Sequence, residues 1–249
     1  MMRNNKTFFE KYYLLLIYFL FLLADCCLLY VGNYGSRMYV KPLLVPILVL
    51  WFMSNTAFNI RSSPHTLEAR LLLYFLLLCT LVSDVCGLFA DKFVWTACLF
   101  LYSFSYLLYL FIFISIQRNI SEKKLYFVYV RSSLPVFLIV LTASFVFISK
   151  ILNLPIDINN IWFYLHASLI ALLCGIVGNM WGVPQMKTIK LLFAIGVFFL
   201  IITNLVYGLD EIVFHRRHRI LDVFVACSNG LTQIFMILGV IKFIRLKRG

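Results

Sequence analysis

The sequence predicts an all-α integral membrane protein, an eight-transmembrane-helix bundle with both termini cytoplasmic. Three observations predict it. The chain of 249 residues is 63% hydrophobic and only 13% charged, whereas soluble domains run at about half apolar and about a quarter charged. Its apolar residues fall into eight stretches near the length that lets a helix cross the hydrocarbon core of a bilayer. Its Lys and Arg residues sit mainly between those stretches, unequally on the two sides. No soluble fold could hide this much apolar surface, so the surplus faces lipid. The net charge of +12 then reads as flanking of spans and not as nucleic-acid binding.

The first stretch, about 12–31, follows "MMRNNKTFFEKYY" and ends in "DCCLLYVGNYGSR". Its length and the lack of a small-residue cleavage site separate it from a signal peptide. The second, about 41–58, opens on Lys41 and Pro42, and Asn55 and Asn59 shorten its apolar run. The third (71–90) carries Asp84 near its end. The fourth and fifth span 93–116 and 132–152. The sixth (161–181) places Gly175, Gly178 and Gly182 on one face, which allows close helix approach. The seventh and eighth span 191–213 and 221–241. Every connection is short, so residues 1–249 are expected to form a single polytopic membrane domain.

Orientation follows from the basic residues. One side holds Arg3, Lys6, Lys11, Arg61, Arg70, Arg118, Lys123, Lys124, Arg131, Lys187, Lys190, Lys242, Arg245, Lys247 and Arg248. The other holds Arg37, Lys41, Lys92, Lys150, Arg216, Arg217 and Arg219. The richer side is placed in the cytoplasm, and an even number of spans returns both termini there. The two N-x-S/T sequons, at Asn5 and Asn119, fall on that side and are not expected to carry glycans. Short loops and the absence of an organelle signal fit a bacterial inner membrane.

With this orientation the costly polar groups gather at one level, in the outer halves of the spans. They are Asp25, Lys41, Asp84, His166, Asn204, Tyr207, Asp210, Glu211, Ser228 and Asn229. A charge at a helix centre costs on the order of 3 kcal/mol on insertion scales, and such residues usually face the bundle interior. Helical spacing groups Thr80, Asp84 and Gly87 on one face of the third span. The same rhythm joins Tyr102, Ser105, Tyr106 and Tyr109 on the fourth. It joins Thr203, Asn204, Tyr207, Asp210 and Glu211 on the seventh, and Ser228, Asn229, Thr232 and Gln233 on the eighth. Each stripe has a plain structural reading, since Ser, Thr, Asn and Gln often bond neighbouring helices. Asp84 and Lys41 are either a neutralising pair or the charged floor of a polar pocket.

Other chemistry finds no support. Seven cysteines at 26, 27, 79, 86, 98, 174 and 227 lie inside apolar stretches and do not read as a disulfide framework. "HRRH" at 215–218 lies in a basic loop, and four scattered histidines do not make a metal cluster. There is no glycine-rich phosphate loop and no nucleophile elbow. No cofactor is therefore expected. No internal repeat argues for an inverted-repeat transporter.

The order of the polar segments carries a resemblance. "KPLLVPILVLW" at 41–51, "LCTLVSD" at 78–84, "SYLLY" at 105–109, "GVFFLIITNLVYGLDEI" at 196–212 and "ACSNGLTQIFMILG" at 226–239 resemble the YhhN-type lysoplasmalogenase family. The likeness covers about residues 38–240. Members are eight-span proteins that hydrolyse the vinyl ether bond of lysoplasmalogens to a fatty aldehyde and a glycerophospho-base. Lys41, Pro42, Asp84, Tyr109 and Gln233 match the family pattern. Ser83 stands where glycine is usual, Tyr106 where histidine is, Thr203 and Asn204 where Ser-Asp is, and Asn229 and Gly230 where paired tyrosines are.

The resemblance implies an integral membrane hydrolase acting on a membrane lysophospholipid. Cleaving an enol ether needs a general acid to protonate the β-carbon and a group that steadies the oxocarbenium ion and activates water. Asp84 is the candidate acid. Asn204 stands at the second carboxylate position, where it can orient water but not take a proton; Asp25 or Asp210 can stand in for that carboxylate. Tyr106 and Tyr109 complete the catalytic candidates. Lys41, Thr80, Thr203, Tyr207, Asn229 and Gln233 are candidates for binding substrate. The alternative is a catalytically silent lipid-binding or sensory protein on the same fold, with a transporter as a more distant third.

Overall fold

The computed structural model describes residues 8–56, 64–88, 92–118, 126–155, 161–179, 186–214 and 218–246. Among these the chain is all-α. Its helices are α1 (Phe8–Val31), α2 (Tyr34–Val40), α3 (Leu44–Thr56), α4 (Pro64–Cys86), α5 (Lys92–Arg118), α6 (Tyr126–Val146), α7 (Ile161–Asn179), α8 (Lys187–Gly208) and α9 (Arg219–Leu246). Among the described residues, eight helical stretches are long and apolar enough to cross a membrane, as an integral membrane protein requires.

Most spans fall where the apolar runs predict them. The second differs. It begins at Tyr34, not Lys41, and is broken by a 3₁₀ turn at Lys41–Leu43 between α2 and α3. The early start has a local cause. Gly32, at φ +79°, ends α1, and the Asn33 side chain accepts a hydrogen bond from the Ser36 N–H at 3.1 Å, capping α2. Pro42 sits inside the 3₁₀ turn, where its missing N–H removes a helical bond. The third span also lies earlier than expected, at Thr66–Cys86. Asn59, expected within the second span, lies outside the described residues.

The first and last helices run antiparallel and touch. Tyr18 on α1 donates to the Gly230 carbonyl on α9 at 3.4 Å. The Arg219 guanidinium, at the start of α9, donates to the last carbonyls of α1, Tyr30 at 3.3 Å and Val31 at 3.0 Å. Both ends of the described chain therefore lie at one end of the bundle; the opposite one is called the distal end below. Helices α4 and α5, α6 and α7, and α8 and α9 form three hairpins. Helix α1 packs on α3 and α9, and α7 packs on α5 and α8. The core is filled by large side chains that are almost wholly buried, including Trp51, Phe52, Phe113, Phe193 and Phe243. Helix α6 is peripheral and exposes Leu134, Val136, Leu138 and Ile139, as a lipid-facing helix should.

Lipid tails are as apolar as leucine, so close packing, more than the hydrophobic effect, holds these helices together. Glycines provide the close approaches. Gly175 and Gly178 lie against Ser133, Val136 and Phe137 of α6, so this part of the small-residue face of the sixth span seats that helix; Gly182 lies outside the described residues. On α9, Gly239 receives the Phe193 ring of α8, and Gly196 of α8 receives Met236. A Cβ at 239 would overlap the Phe193 ring. Gly239→Ala should therefore destabilise by about 1–3 kcal/mol, the usual effect of overpacking, and lower the thermal midpoint of the detergent-solubilised protein by about 2–10 °C. Gly35→Ala, where the nearest atom to a new Cβ lies at 3.9 Å, serves as the control and should leave the midpoint unchanged.

Candidate functional site

The short segment after α1 brings two cations onto two buried carboxylates. Arg37 on α2 and Lys41 in the 3₁₀ turn are four residues apart, one helical turn. The Arg37 guanidinium donates from Nε to Asp25 Oδ1 at 2.8 Å and from its terminal nitrogen to Oδ2 at 3.4 Å. Lys41 Nζ lies 3.3 Å from Asp84 Oδ1, and the Tyr102 hydroxyl donates to the same oxygen at 3.0 Å. Asp25 and Asp84 are 1% and 4% exposed, so both charges are neutralised where water is scarce. Lys41 and Asp84 thus form the neutralising pair, with Tyr102 as a third member. Ser83, beside Asp84, donates to the Cys98 carbonyl at 3.3 Å and ties α4 to α5.

A second group lies across α5, α7 and α8. The Asn204 amide donates to the Tyr106 hydroxyl at 3.0 Å and to the Leu200 carbonyl of its own helix at 2.8 Å. The Tyr106 hydroxyl also lies 3.3 Å from Asn204 Oδ1. Ser103 Oγ is 2.9 Å from His166 Nε2. The His166 ring packs edge-on against Tyr106, with centroids 5.4 Å apart. His166, Asn204 and Tyr207 line a cavity of about 70 Å³ between α6, α7 and α8. That is room for several waters, since about 10–15 Å³ admits one. Its remaining walls are mostly apolar, with Trp162, Phe163, Ile170 and Ile201 among them.

Two π-helical segments, Phe147–Ile151 after α6 and Leu209–Val213 after α8, border this region. Such segments insert a residue into the helical register and recur at functional sites. Phe147 and Ile148 of the first line the cavity. The second carries Asp210, 3% exposed, whose Oδ1 meets no hydrogen-bond partner among the described residues.

Helix α5 is the wall between the two groups. Tyr102 and Tyr106 lie one turn apart on it; the first reaches Asp84 and the second reaches Asn204.

The sequence-derived candidates therefore divide. Asn204 and Tyr207 line the cavity, and Tyr106 is bonded to Asn204 behind it. Asp84 and Lys41 come together beside Tyr102, and neither lines the cavity. Asp25 is held by Arg37 instead. Thr80 donates back to the Leu76 carbonyl of its own helix at 2.9 Å. Thr203 Oγ1 lies 2.8 Å from both the Phe199 carbonyl and Ser228 Oγ, at the seam between α8 and α9. Tyr109 is part of the apolar core. Gln233 is buried on α9, and Asn229 is half-buried there. The Glu211 side chain and residues 215–217 lie outside the described part; His218 is exposed, its ring against Phe214.

Sequence reasoning places His166 at the right depth but leaves it out of the candidate set, and it misses Ser103 and Arg37. The signal that could have found them was the i, i+4 pair Trp162 and His166, on one face of α7, together with Ser103 three residues before Tyr106. The chain matches no protein-family model, no curated protein and no solved structure.

Removing one partner of a buried pair leaves an uncompensated charge. Asp84→Asn should therefore destabilise by about 3 kcal/mol, the low end for such a pair, because the Lys41 side chain keeps 17% exposure. The double variant Lys41→Met, Asp84→Asn should recover much of that loss. Thermal unfolding of all four proteins in one detergent gives the coupling; additive losses would mean the two groups do not depend on each other.

Proposed function

We propose that this chain is a membrane-embedded hydrolase of ether lysolipids, of the lysoplasmalogenase type. It cleaves the vinyl ether bond to give a fatty aldehyde and a glycerophospho-base. The observation that carries the reading is the cavity between α6, α7 and α8, apolar on most sides and polar along His166, Asn204 and Tyr207. Polar groups this deep in a membrane protein are costly and usually mark a site or a pathway. A lysoplasmalogen carries the matching combination, a long apolar chain that meets a reactive ether oxygen and a polar head. The cavity admits the vinyl ether end against its polar wall, and the rest of the alkyl chain stays in the bilayer beyond α6. Helix α6, on the lipid-facing rim, gives lateral access from the bilayer. The resemblance at Lys41, Pro42, Asp84, Tyr109 and Gln233 supports the same activity.

In this reading the Lys41–Asp84–Tyr102 group is the frame of the site. It pins the 3₁₀ turn, α4 and α5 together and so fixes Tyr106, which holds Asn204. Asn204 orients the attacking water. The distribution of basic residues supports both termini in the cytoplasm and the cavity in the outer half of the bilayer, and the short loops fit a bacterial plasma membrane.

A second reading, a lipid-binding or sensory protein without turnover, is favoured by one specific observation. Both Asp25 and Asp84 are committed to cations, and neither lines the cavity. Purified protein in lipid nanodiscs, given lysoplasmenyl-ethanolamine, decides between them. The hydrolase should release aldehyde, and Asn204→Asp, which restores a carboxylate beside Tyr106, should raise the rate by at least about tenfold, since acid–base groups contribute about 10²–10⁴. Tight lipid binding with no aldehyde from either protein would establish the silent binder.

A further inference from the structure

We propose that His166 is the acid–base residue of the cavity, donating the proton that opens the vinyl ether and then accepting one from the attacking water. The assignment rests on the hydrolase reading above. Among the described residues that line the cavity, His166 is the one whose side-chain type exchanges protons near neutral pH. The other lining groups are apolar, amide, hydroxyl or phenol. Of the buried carboxylates of the distal end, Asp25 is on Arg37 and Asp84 on Lys41, and Asp210, on the π-helical segment that borders the cavity, is not among the residues that line it.

Geometry fixes the ring. Ser103 holds Nε2 at 2.9 Å, and the Tyr106 ring packs on it from the same helix. Tyr106 also binds Asn204 through its hydroxyl. One tyrosine therefore sets the spacing between the proton donor and the residue that orients water, which is what a two-step hydrolysis needs.

The steps balance with one water consumed. The His166 imidazolium transfers a proton to the β-carbon of the vinyl ether; the alkene electron pair forms the new C–H bond, and the ether oxygen shares its lone pair to give an oxocarbenium ion. Water held by Asn204 adds to the cationic carbon and passes its proton to the now neutral imidazole. As the hemiacetal collapses, the bond to the glycerol oxygen breaks, that oxygen takes a proton from the His166 imidazolium, and the hemiacetal hydroxyl proton passes to the imidazole, which restores the imidazolium for the next turnover. The products are an aldehyde and a free hydroxyl on the glycerophospho-base.

The test compares wild type, His166→Gln, His166→Ala and Ser103→Ala in nanodiscs, with lysoplasmenyl-ethanolamine as substrate and thermal melts to establish folding. His166→Gln should lower kcat by about 10²-fold or more, with KM little changed. Added imidazole should restore part of the activity of His166→Ala. Ser103→Ala, which loosens the ring without removing it, should lower kcat less than His166→Gln does and gain nothing from imidazole. Wild type in D2O should place one deuterium on the carbon next to the aldehyde, which tests the hydrolase reading separately. Deuterated aldehyde from wild type with an undiminished kcat in His166→Gln would overturn the assignment and leave the hydrolase standing. No aldehyde from wild type would overturn both.

Discussion

A carboxylate in a membrane-spanning bundle has little water to turn to, and the arrangement of the distal end follows from meeting that need. Asp25 and Asp84 sit on different helices, α1 and α4, that are far apart in sequence. Both are neutralised from one short segment, Arg37 by a bidentate grip and Lys41 at 3.3 Å. The break between α2 and α3 lies at Lys41. A straight second helix running from Tyr34 would continue past the break without turning, so the 3₁₀ turn at Pro42 belongs to the electrostatics as much as to the backbone. Tyr102 adds a hydrogen bond to the same Asp84 oxygen and extends the arrangement to α5.

From α5 the polar chain passes to the other side of the bundle. Ser103 and Tyr106 hold His166 and Asn204, and the space between these and α6 is left unfilled. The π-helical segments on α6 and α8 lie at the distal edge of that space. A regular helix would carry its neighbours around in step; an extra residue rotates every later side chain to a new facing. On α8 this changes the reading of the polar stripe. Asn204 and Tyr207 belong to the cavity, while Asp210 begins a new register beyond Gly208.

The eight spans are legible in the sequence because a bilayer demands one thing of each, about twenty apolar residues, and little else competes. That the polar groups gather towards one end of the bundle is legible for the same reason. Their partners are not. Thr80 and Thr203 have the same helical spacing as Asp84 and Asn204, yet both hydroxyls reach the carbonyl four residues back, an option that short hydroxyl side chains have and that spacing cannot reveal. Arg37 reads as part of a connection because the apolar run begins at Lys41, and the cap at Asn33 that makes the segment helical depends on a glycine in the left-handed region. His166 illustrates the limit most clearly. Tyr106 stands where the resembling family carries histidine, and an imidazole from α7 lies against that tyrosine. Residues sixty positions apart have no periodicity to connect them.

The contact between α1 and α9 bears on how such a chain is assembled. The Tyr18 hydroxyl meets a carbonyl 212 residues further along, and the end of α1 is closed by Arg219. At ribosomal speeds of about 5–20 residues per second, the first helix waits on the order of 10–40 s before its partner is made. During that interval its Tyr18 face is turned to lipid, to the insertion machinery or to α3. The Asp25–Arg37 pair forms within the first forty residues and needs none of the later chain, so it can hold the distal turn of α1 while the middle of that helix is still without its neighbour. Insertion of α9 is then the step that joins α1 to the later hairpins and closes an otherwise open array.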